Sequence, residues 1–278
     1  MIDGLAADID NASVEEFQKR VMTWWRENAR TLPWRENPSP YNVLVSEVML
    51  QQTQVNRVVP KYLEFLEAFP NIESLAEAEI KRLLQVWSGL GYNRRAIWLR
   101  EAAREIVNRG SFPKTAEGLC ALKGIGPYTS RSILIFAFNE DLAAIDTNIR
   151  RVLIASGFAT EEMPESQLQT VANRLLLEGR SSDWHNALMD YGSEVLTSNA
   201  TGIAPSSSQP RFAGSNRQVR GAIIRHLTCA NSLSLQEILE ALNQEGIDIC
   251  SPEKTLEQLI DEGFIERTAN GNFRISEC

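Results

Sequence analysis

Between Ser13 and Leu196, apolar residues recur three and four positions apart with polar turns between the runs, the pattern of amphipathic helices. Ser13-Val-Glu-Glu16 has the form of a capping box and predicts a helix whose Phe17, Val21 and Trp24 share one face. Pro33, Pro38 and Pro40 then interrupt the chain. Further helices are predicted over residues 41–56, 59–68, 78–87, 94–109, 116–122, 128–138, 147–155, 166–178 and 183–195. No alternating strand run separates them, so residues 13–196 are expected to form an all-α core.

The pattern changes at residues 197–214, where Ser, Thr, Asn, Gly and Pro dominate and Arg211 is the sole charge; this predicts a linker. Helices are predicted again over 217–227, 234–243 and 251–262. Phe264-Ile-Glu-Arg267 and Asn272-Phe-Arg-Ile275 then flank Asn270-Gly271, the dipeptide of a type I′ hairpin. Three helices and a hairpin predict a small winged-helix-like α+β domain over 215–278.

Composition narrows the function classes. With 278 residues, 43% hydrophobic and 23% charged, wholesale disorder, fibrous repeats and a membrane bundle are excluded. The apolar run from Ile133 to Phe138 is far short of the roughly 20 residues a spanning helix needs. Met1 to Asp10 is acidic and lacks the basic-then-apolar order of a signal peptide, so an intracellular, cytoplasmic protein is expected. Cys120, Cys229, Cys250 and Cys278 are separated by 109, 21 and 28 positions, which suits neither a metal-ligand pair nor a disulfide framework; no metal site is expected.

The net charge of −8 argues mildly against nucleic acid, although binding needs a local stripe of phosphate contacts and not a positive total. Residues 211–278 carry 7 Lys/Arg against 10 Asp/Glu, a net −3. A DNA-reading wing and a packing or partner-binding surface both stay open for this tail.

Several constellations could carry chemistry. In Leu122-Lys-Gly-Ile-Gly-Pro-Tyr128, Gly124 and Gly126 lie between two helices, an arrangement that serves either as a plain turn or as a phosphate cradle of backbone N–H groups. Glu47 is the only charge in Val43-Leu-Val-Ser-Glu-Val-Met-Leu50, on a face shared with Leu44, Val48, Gln51 and Gln54. It is either a rim residue with its head in water or a buried carboxyl held protonated near neutrality, as a general acid must be. Asp146, in Ile145-Asp-Thr-Asn148, is expected to cap the following helix and, held by that bond, to have a low pKa and stay ionised. A protonated acid with an ionised carboxylate is the equipment of glycosidic-bond cleavage. Tyr92 on the Gly89-Leu-Gly91 turn is either core or a wedge for a base stack. Arg94, Arg95, Arg100, Arg150 and Arg151 are either solvated helix faces or phosphate contacts.

Taken together, Leu32-Pro-Trp-Arg35, Ser46-Glu-Val-Met-Leu-Gln-Gln-Thr-Gln-Val55, Trp87-Ser-Gly-Leu-Gly-Tyr92, Leu122 to Thr129, Ile145-Asp-Thr-Asn-Ile-Arg-Arg-Val152 and Asn186-Ala-Leu-Met-Asp-Tyr-Gly192 resemble the helix-hairpin-helix (HhH-GPD) DNA glycosylase superfamily, and most closely its MutY family of adenine DNA glycosylases. The resemblance covers about residues 15 to 195. It implies a two-lobed, all-α helix-hairpin-helix core that binds double-stranded DNA containing mismatched or oxidised base pairs, as a monomer and without a membrane. It also implies a monofunctional enzyme that flips adenine from pairs with 8-oxoguanine or guanine and leaves an abasic site.

By this resemblance Glu47 protonates adenine at N7, Asp146 stabilises the oxocarbenium ion, and Tyr128 and Asn148 hydrogen-bond around that pair. Arg35 lies near the adenine; Gln51, Gln52, Gln54 and Tyr92 probe the opposite strand and wedge the stack; Lys123, Gly124 and Gly126 belong to the phosphate-holding hairpin. Bifunctional relatives carry a lysine where Tyr128 stands, and a phenol cannot form their imine. The sequence departs from the family in three places. No cysteine occurs between Val195 and Asn216, so the iron-sulfur cluster of most members is expected to be absent and no cofactor is expected. The tail lacks the β-rich pattern of the family's 8-oxoguanine-reading domain. Thr147 stands where many relatives have Gly. A thymine or uracil glycosylase acting on G mismatches, and a catalytically weak lesion-binding protein, are the alternatives.

Overall fold

In the computed structural model, which describes residues 9–205, 211–247 and 251–277, the first helix starts at Asp10, whose carboxylate accepts from the Ser13 amide at 2.9 Å and the Ser13 hydroxyl at 2.6 Å. The box expected of Ser13 and Glu16 is thus replaced by a simple N-cap three residues earlier, where a carboxylate satisfies two donors and faces the positive end of the helix dipole. The described helices are α1 (Asn11–Asn28), α2 (Pro33–Glu36), α3 (Pro40–Leu50), α4 (Val55–Ala68), α5 (Ile72–Ala76), α6 (Ile80–Trp87), α7 (Arg94–Arg109) and α8 (Ala116–Cys120). They continue as α9 (Pro127–Phe138), α10 (Thr147–Ala155), α11 (Glu165–Arg174), α12 (Ser181–Glu194), α13 (Ser198–Thr201), α14 (Asn216–Cys229), α15 (Leu235–Gln244) and α16 (Pro252–Asp261). The strands β1 (Ile265–Arg267) and β2 (Phe273–Ile275) close the fold.

The all-α core with a small α+β tail is as expected, and four local readings are corrected. The helix predicted over 41–56 is two: α3 stops at Leu50, Gln52 takes a left-handed φ of 55°, and Gln54 becomes the N-cap of α4. The linker holds a short helix, α13, because Thr197 caps it by accepting from the Ala200 amide. The short helices α2 and α5 were below the length that periodicity can signal. Finally, the hairpin is not type I′: only Gly271 has positive φ, 82°, and its amide bonds to the Thr268 carbonyl. That is a tight turn followed by a left-handed glycine, and it sets the register Ile265↔Ile275 and Arg267↔Phe273.

The described residues divide into two compact units. The first comprises residues 9–47, Pro113–Ala121 and 125–205; the second comprises Val48–Phe112, Leu122–Gly124 and the tail. In the first, Val14, Phe17 and Val21 of α1 pack with Ile149, Val152 and Leu153 of α10, Leu168 and Val171 of α11, and Trp184 and Leu188 of α12. Phe17 meets Trp184 edge-on at 5.6 Å and Phe158 at 4.9 Å. In the second, Val58, Tyr62 and Phe65 of α4, Leu83 and Trp87 of α6, and Leu99 and Ala103 of α7 are buried. The tail packs α14 on α6, so it belongs to this unit.

Gly192 decides how closely α12 approaches α10. A Cβ there would lie 2.9 Å from both Cβ and the carbonyl oxygen of Asn148. Any larger residue must push α10 away, and with it the segment that begins at Asp146.

Trp184 is the central side chain of the first core, so Trp184→Ala is expected to lower unfolding stability by about 3 to 5 kcal/mol in urea titration. A loss below about 1 kcal/mol would contradict this packing.

Candidate active site

Helix α3 is apolar around its circumference, with Val43, Leu44, Val45, Val48 and Met49 buried, so it carries Glu47 into a poorly solvated place. Burial lifts the Glu47 carboxyl from its ordinary 4.5 to about 7; the Ser132 hydroxyl acts in the opposite sense and the charge of Asp146 adds to the rise. Glu47 and Asp146 therefore share one site within the first unit.

Asp146 is the N-cap of α10, as expected. Its Oδ1 accepts from the Ile149 amide at 2.7 Å and its Oδ2 from the Asn148 side-chain amide at 2.9 Å. The low pKa expected from such capping is overturned: burial raises the Asp146 carboxyl above its usual value, against the pull of the Ile149 and Asn148 donors and of Arg151. More donors hold charge on Asp146 than on Glu47, which has Ser132 alone, so Glu47 is the member that keeps the proton.

Asn148 is itself fixed. Its Oδ1 accepts from Arg151 Nη2 at 2.7 Å; Arg151 also donates to the Gly192 carbonyl at 2.7 Å and the Leu196 carbonyl at 2.5 Å. Arg151 is buried and serves as a strut, as is Arg95, whereas the sequence offered both as solvated faces or phosphate contacts. Arg100 is buried too.

Tyr128, in the first turn of α9, leaves 37% of its surface open, but its hydroxyl faces both carboxyls. Burial, then Glu47 and then Asp146, hold the phenol well above 10 and so protonated. Ser132, one turn further along α9 and wholly buried, was missed in the sequence. Its hydroxyl lies within reach of Glu47 and Tyr128 and forms no well-aligned hydrogen bond. Its i+4 relation to Tyr128 was the available signal.

Arg35 belongs to the same unit and is held by an acidic partner. Its guanidinium grips the fully buried Asp190 with two bonds, 2.8 and 2.9 Å, and Arg30 Nε, the Arg30 amide and Trp25 Nε1 complete the carboxylate's partners. These donors hold Asp190 ionised, its carboxyl below the usual range despite burial.

The remaining residues from the sequence fall into the second unit, apart from Gly126, the N-cap of α9, where an added Cβ would meet open space. Gly124 has φ 78° and its Cβ would press on Trp98 at 3.1 Å, so glycine is required there. Gln51 Nε2 donates to the Gly124 carbonyl at 3.4 Å, Gln52 and Gln54 are exposed, and Lys123 sits 3.5 Å from Glu101. Tyr92 is 36% exposed with a left-handed φ of 48°. Arg95 ties these loops together: Nη1 donates to the carbonyls of Val48, Met49 and Gln51, and Nη2 to Thr53 Oγ1 and the carbonyls of Leu90 and Gly91. Arg95 is 6% exposed, and burial lowers its pKa to about 10, still far above neutrality.

A carboxyl whose pKa is raised by folding stabilises the folded state only while protonated; for Glu47 that contribution is complete below about 4.5 and is lost as pH rises through about 7. Glu47→Gln keeps the shape without the charge. At pH 8 this variant is expected to be more stable than wild type by about 2 to 3 kcal/mol, the gap closing toward pH 4.5 in urea midpoints. A gap independent of pH would show that Glu47 is solvated.

A model of the HhH-GPD superfamily of base excision DNA repair proteins matches residues 45–176. The adenine DNA glycosylase of Mycolicibacterium smegmatis is 32% identical over 279 residues, 92% of this chain and 94% of that protein. The adenine DNA glycosylase of Homo sapiens is 35% identical over 203 residues, 68% of this chain and 37% of that longer protein. Among solved structures, a thermostable thymine-DNA glycosylase superposes with a TM-score of 0.62 at 26% identity, over 67% of this chain and 89% of that one. An endonuclease III in a non-covalent DNA complex gives 0.61 at 16% identity, over 71% and 91%, a likeness of fold alone. The helical hairpin at Gly124 and Gly126, the paired carboxyls and a relative matched over nearly its whole length lead to one assignment: the chain belongs to the adenine DNA glycosylase family of the HhH-GPD superfamily and is a DNA N-glycosylase of base excision repair.

Proposed function

We propose that the enzyme removes adenine mispaired with 8-oxoguanine or guanine in double-stranded DNA, by hydrolysis, leaving an abasic site. The observation that carries the reading is the Glu47 carboxyl held near neutral pKa beside Asp146. Glu47 gives its proton to N7 of the flipped base as the C1′–N9 bond breaks and its electron pair passes to adenine. Asp146 faces the positive charge left on the sugar, and the donors on Asn148 and Ile149 keep it oriented. Water then adds to C1′ and returns its proton to Glu47. Tyr128 offers no amine for an imine, which supports a monofunctional reaction, and Lys123 is engaged with Glu101 on the hairpin.

The reading has the enzyme working as a monomer without an iron-sulfur cluster. Residues 193–216 hold no cysteine, Cys120 and Cys229 are exposed thiols far apart in sequence, and Cys250 and Cys278 lie outside the described residues, so the ligands for such a cluster do not fit. Likeness to the thymine-DNA glycosylase structure favours a second reading, removal of thymine or uracil opposite guanine.

Single-turnover assays on duplexes with A, T or U opposite guanine or 8-oxoguanine separate these readings. Adenine release is expected, reduced about 10²- to 10⁴-fold by Asp146→Asn and with no borohydride-trapped adduct. Release that survives Asp146→Asn unchanged overturns the site, and release of thymine but not adenine overturns the substrate.

The rate is expected to fall as pH rises through about 7, where Glu47 loses its proton. Because the Ser132 hydroxyl lowers that pKa, Ser132→Ala is expected to move the alkaline limb upward by about half a pH unit to one unit. A limb that stays in place would leave Ser132 a packing residue.

A further inference from the structure

The tail is fixed within the second unit by polar bonds as well as apolar burial. Lys81 Nζ and Gln85 Nε2 of α6 donate to the carbonyls of Ala230 and Thr228 at 2.8 and 2.7 Å. Glu262, just after α16, takes Arg94 of α7 and Arg220 of α14, each at 2.5 Å. Val219, Ile223 and Leu227 of α14 are buried. These contacts bring the first turn of α14 to the loop ending at Tyr92. There Arg217 Nη1 donates to the Tyr92 hydroxyl, and the guanidinium carbon lies 5.1 Å from the ring centroid.

This placement sets a cation against the helix dipole, beside an aromatic ring. A cation in the first turn of a helix opposes the dipole at about 0.3 to 1 kcal/mol, and an exposed cation–π contact returns about 0.5 to 1 kcal/mol. Tyr92, in turn, is held at a left-handed φ by the loop that Arg95 and Arg57 clamp; Arg57 Nη2 donates to the Gly89 carbonyl at 2.8 Å. Local charge also differs from the tail's net −3. Arg217 and Arg95 both lie over the Tyr92 ring, at 5.1 and 5.5 Å, and Glu262 is shared by Arg94 and Arg220.

We infer that Arg217 is a DNA-backbone contact: the tail supplies, beside the Tyr92 wedge, a guanidinium that binds a phosphodiester of the duplex. This rests on the reading that Tyr92 enters the base stack, since a side chain bonded to the Tyr92 hydroxyl then arrives at the strand with it. The tail thereby contributes to DNA affinity through one arginine, although its total charge is negative.

The test uses the full chain and a fluorescent duplex bearing a tetrahydrofuran abasic analogue opposite guanine, with a matched duplex beside it. Dissociation constants are read by anisotropy from 50 to 200 mM KCl, concentrations set by the salt range over which phosphate contacts are resolved. Arg217→Ala is expected to weaken binding about 3- to 10-fold and to reduce the salt slope by about one. Arg217→Lys, which keeps the charge, is expected to retain the slope. Arg225→Ala, further along α14 and with its guanidinium paired with Glu245 at the end of α15, is expected to match wild type. Unchanged affinity and slope in Arg217→Ala overturn the inference, and tighter binding overturns it in favour of a latch that holds Tyr92 back. Equal binding of the two duplexes by wild type would count against the glycosylase reading alone, because the Arg217 slope is still read on the matched duplex.

Discussion

Glu47 and Asp146 are like charges brought together where water solvates neither fully, and the first unit is organised around making that tolerable. The repulsion is relieved when one of them keeps a proton. Asymmetry in the surroundings selects which: a backbone amide, a side-chain amide and the Arg151 cation all favour charge on Asp146, whereas Glu47 lies on an apolar helix where the Ser132 hydroxyl is the one group that lowers its pKa. Acid and counter-charge thus differ by environment and not by residue chemistry. The chain of supports reaches well beyond the pair, from Asn148 to Arg151 and on to the Gly192 and Leu196 carbonyls. The absence of a side chain at Gly192 is what lets α12 complete it.

Much of this was legible in the sequence. The isolated Glu47 in an apolar run and an Asp before a helix start are local signals, and both carboxyls sit on the elements where periodicity and capping put them. What could not be read locally was depth. An N-cap bond argues for a low Asp146 pKa, and only the packing of the first unit shows that burial outweighs it. The same holds for the arginines. Arg95, Arg100 and Arg151 occupy positions that alternate with charged neighbours, as exposed residues do, yet all three are buried. Arg95 and Arg151 satisfy carbonyl oxygens at helix ends that no neighbouring backbone can reach.

Breaks in helices were the other loss. Apolar spacing runs on from Tyr41 past Gln51, and nothing in residue type marks Gln52 for a left-handed conformation. The cause lies 43 residues later in the chain, in the Arg95 guanidinium that collects the carbonyls of Val48, Met49 and Gln51. A non-glycine residue with positive φ costs of order 1 kcal/mol, and the second unit bears that cost at both Gln52 and Tyr92. Both lie on loops that the one arginine clamps, so in the second unit the strain is held by a shared buried cation; the third such residue, Asn139, is the C-cap of α9 in the first unit.

The tail shows why net charge is a poor guide to what a domain touches. Its acidic residues are spent in part on its own and neighbouring arginines: Glu245 on Arg225 and His226, Glu266 on Arg274, and Glu262 on Arg94 and Arg220. A paired carboxylate contributes little field beyond about 8 Å at physiological salt, so the charges that matter to a phosphate are those nearest to it. By that measure Arg217, over the Tyr92 ring in the first turn of α14, counts for more than the tail's total. A sum over the domain averages this away, which is how a tail of net −3 can still present a cation where the proposed chemistry needs one.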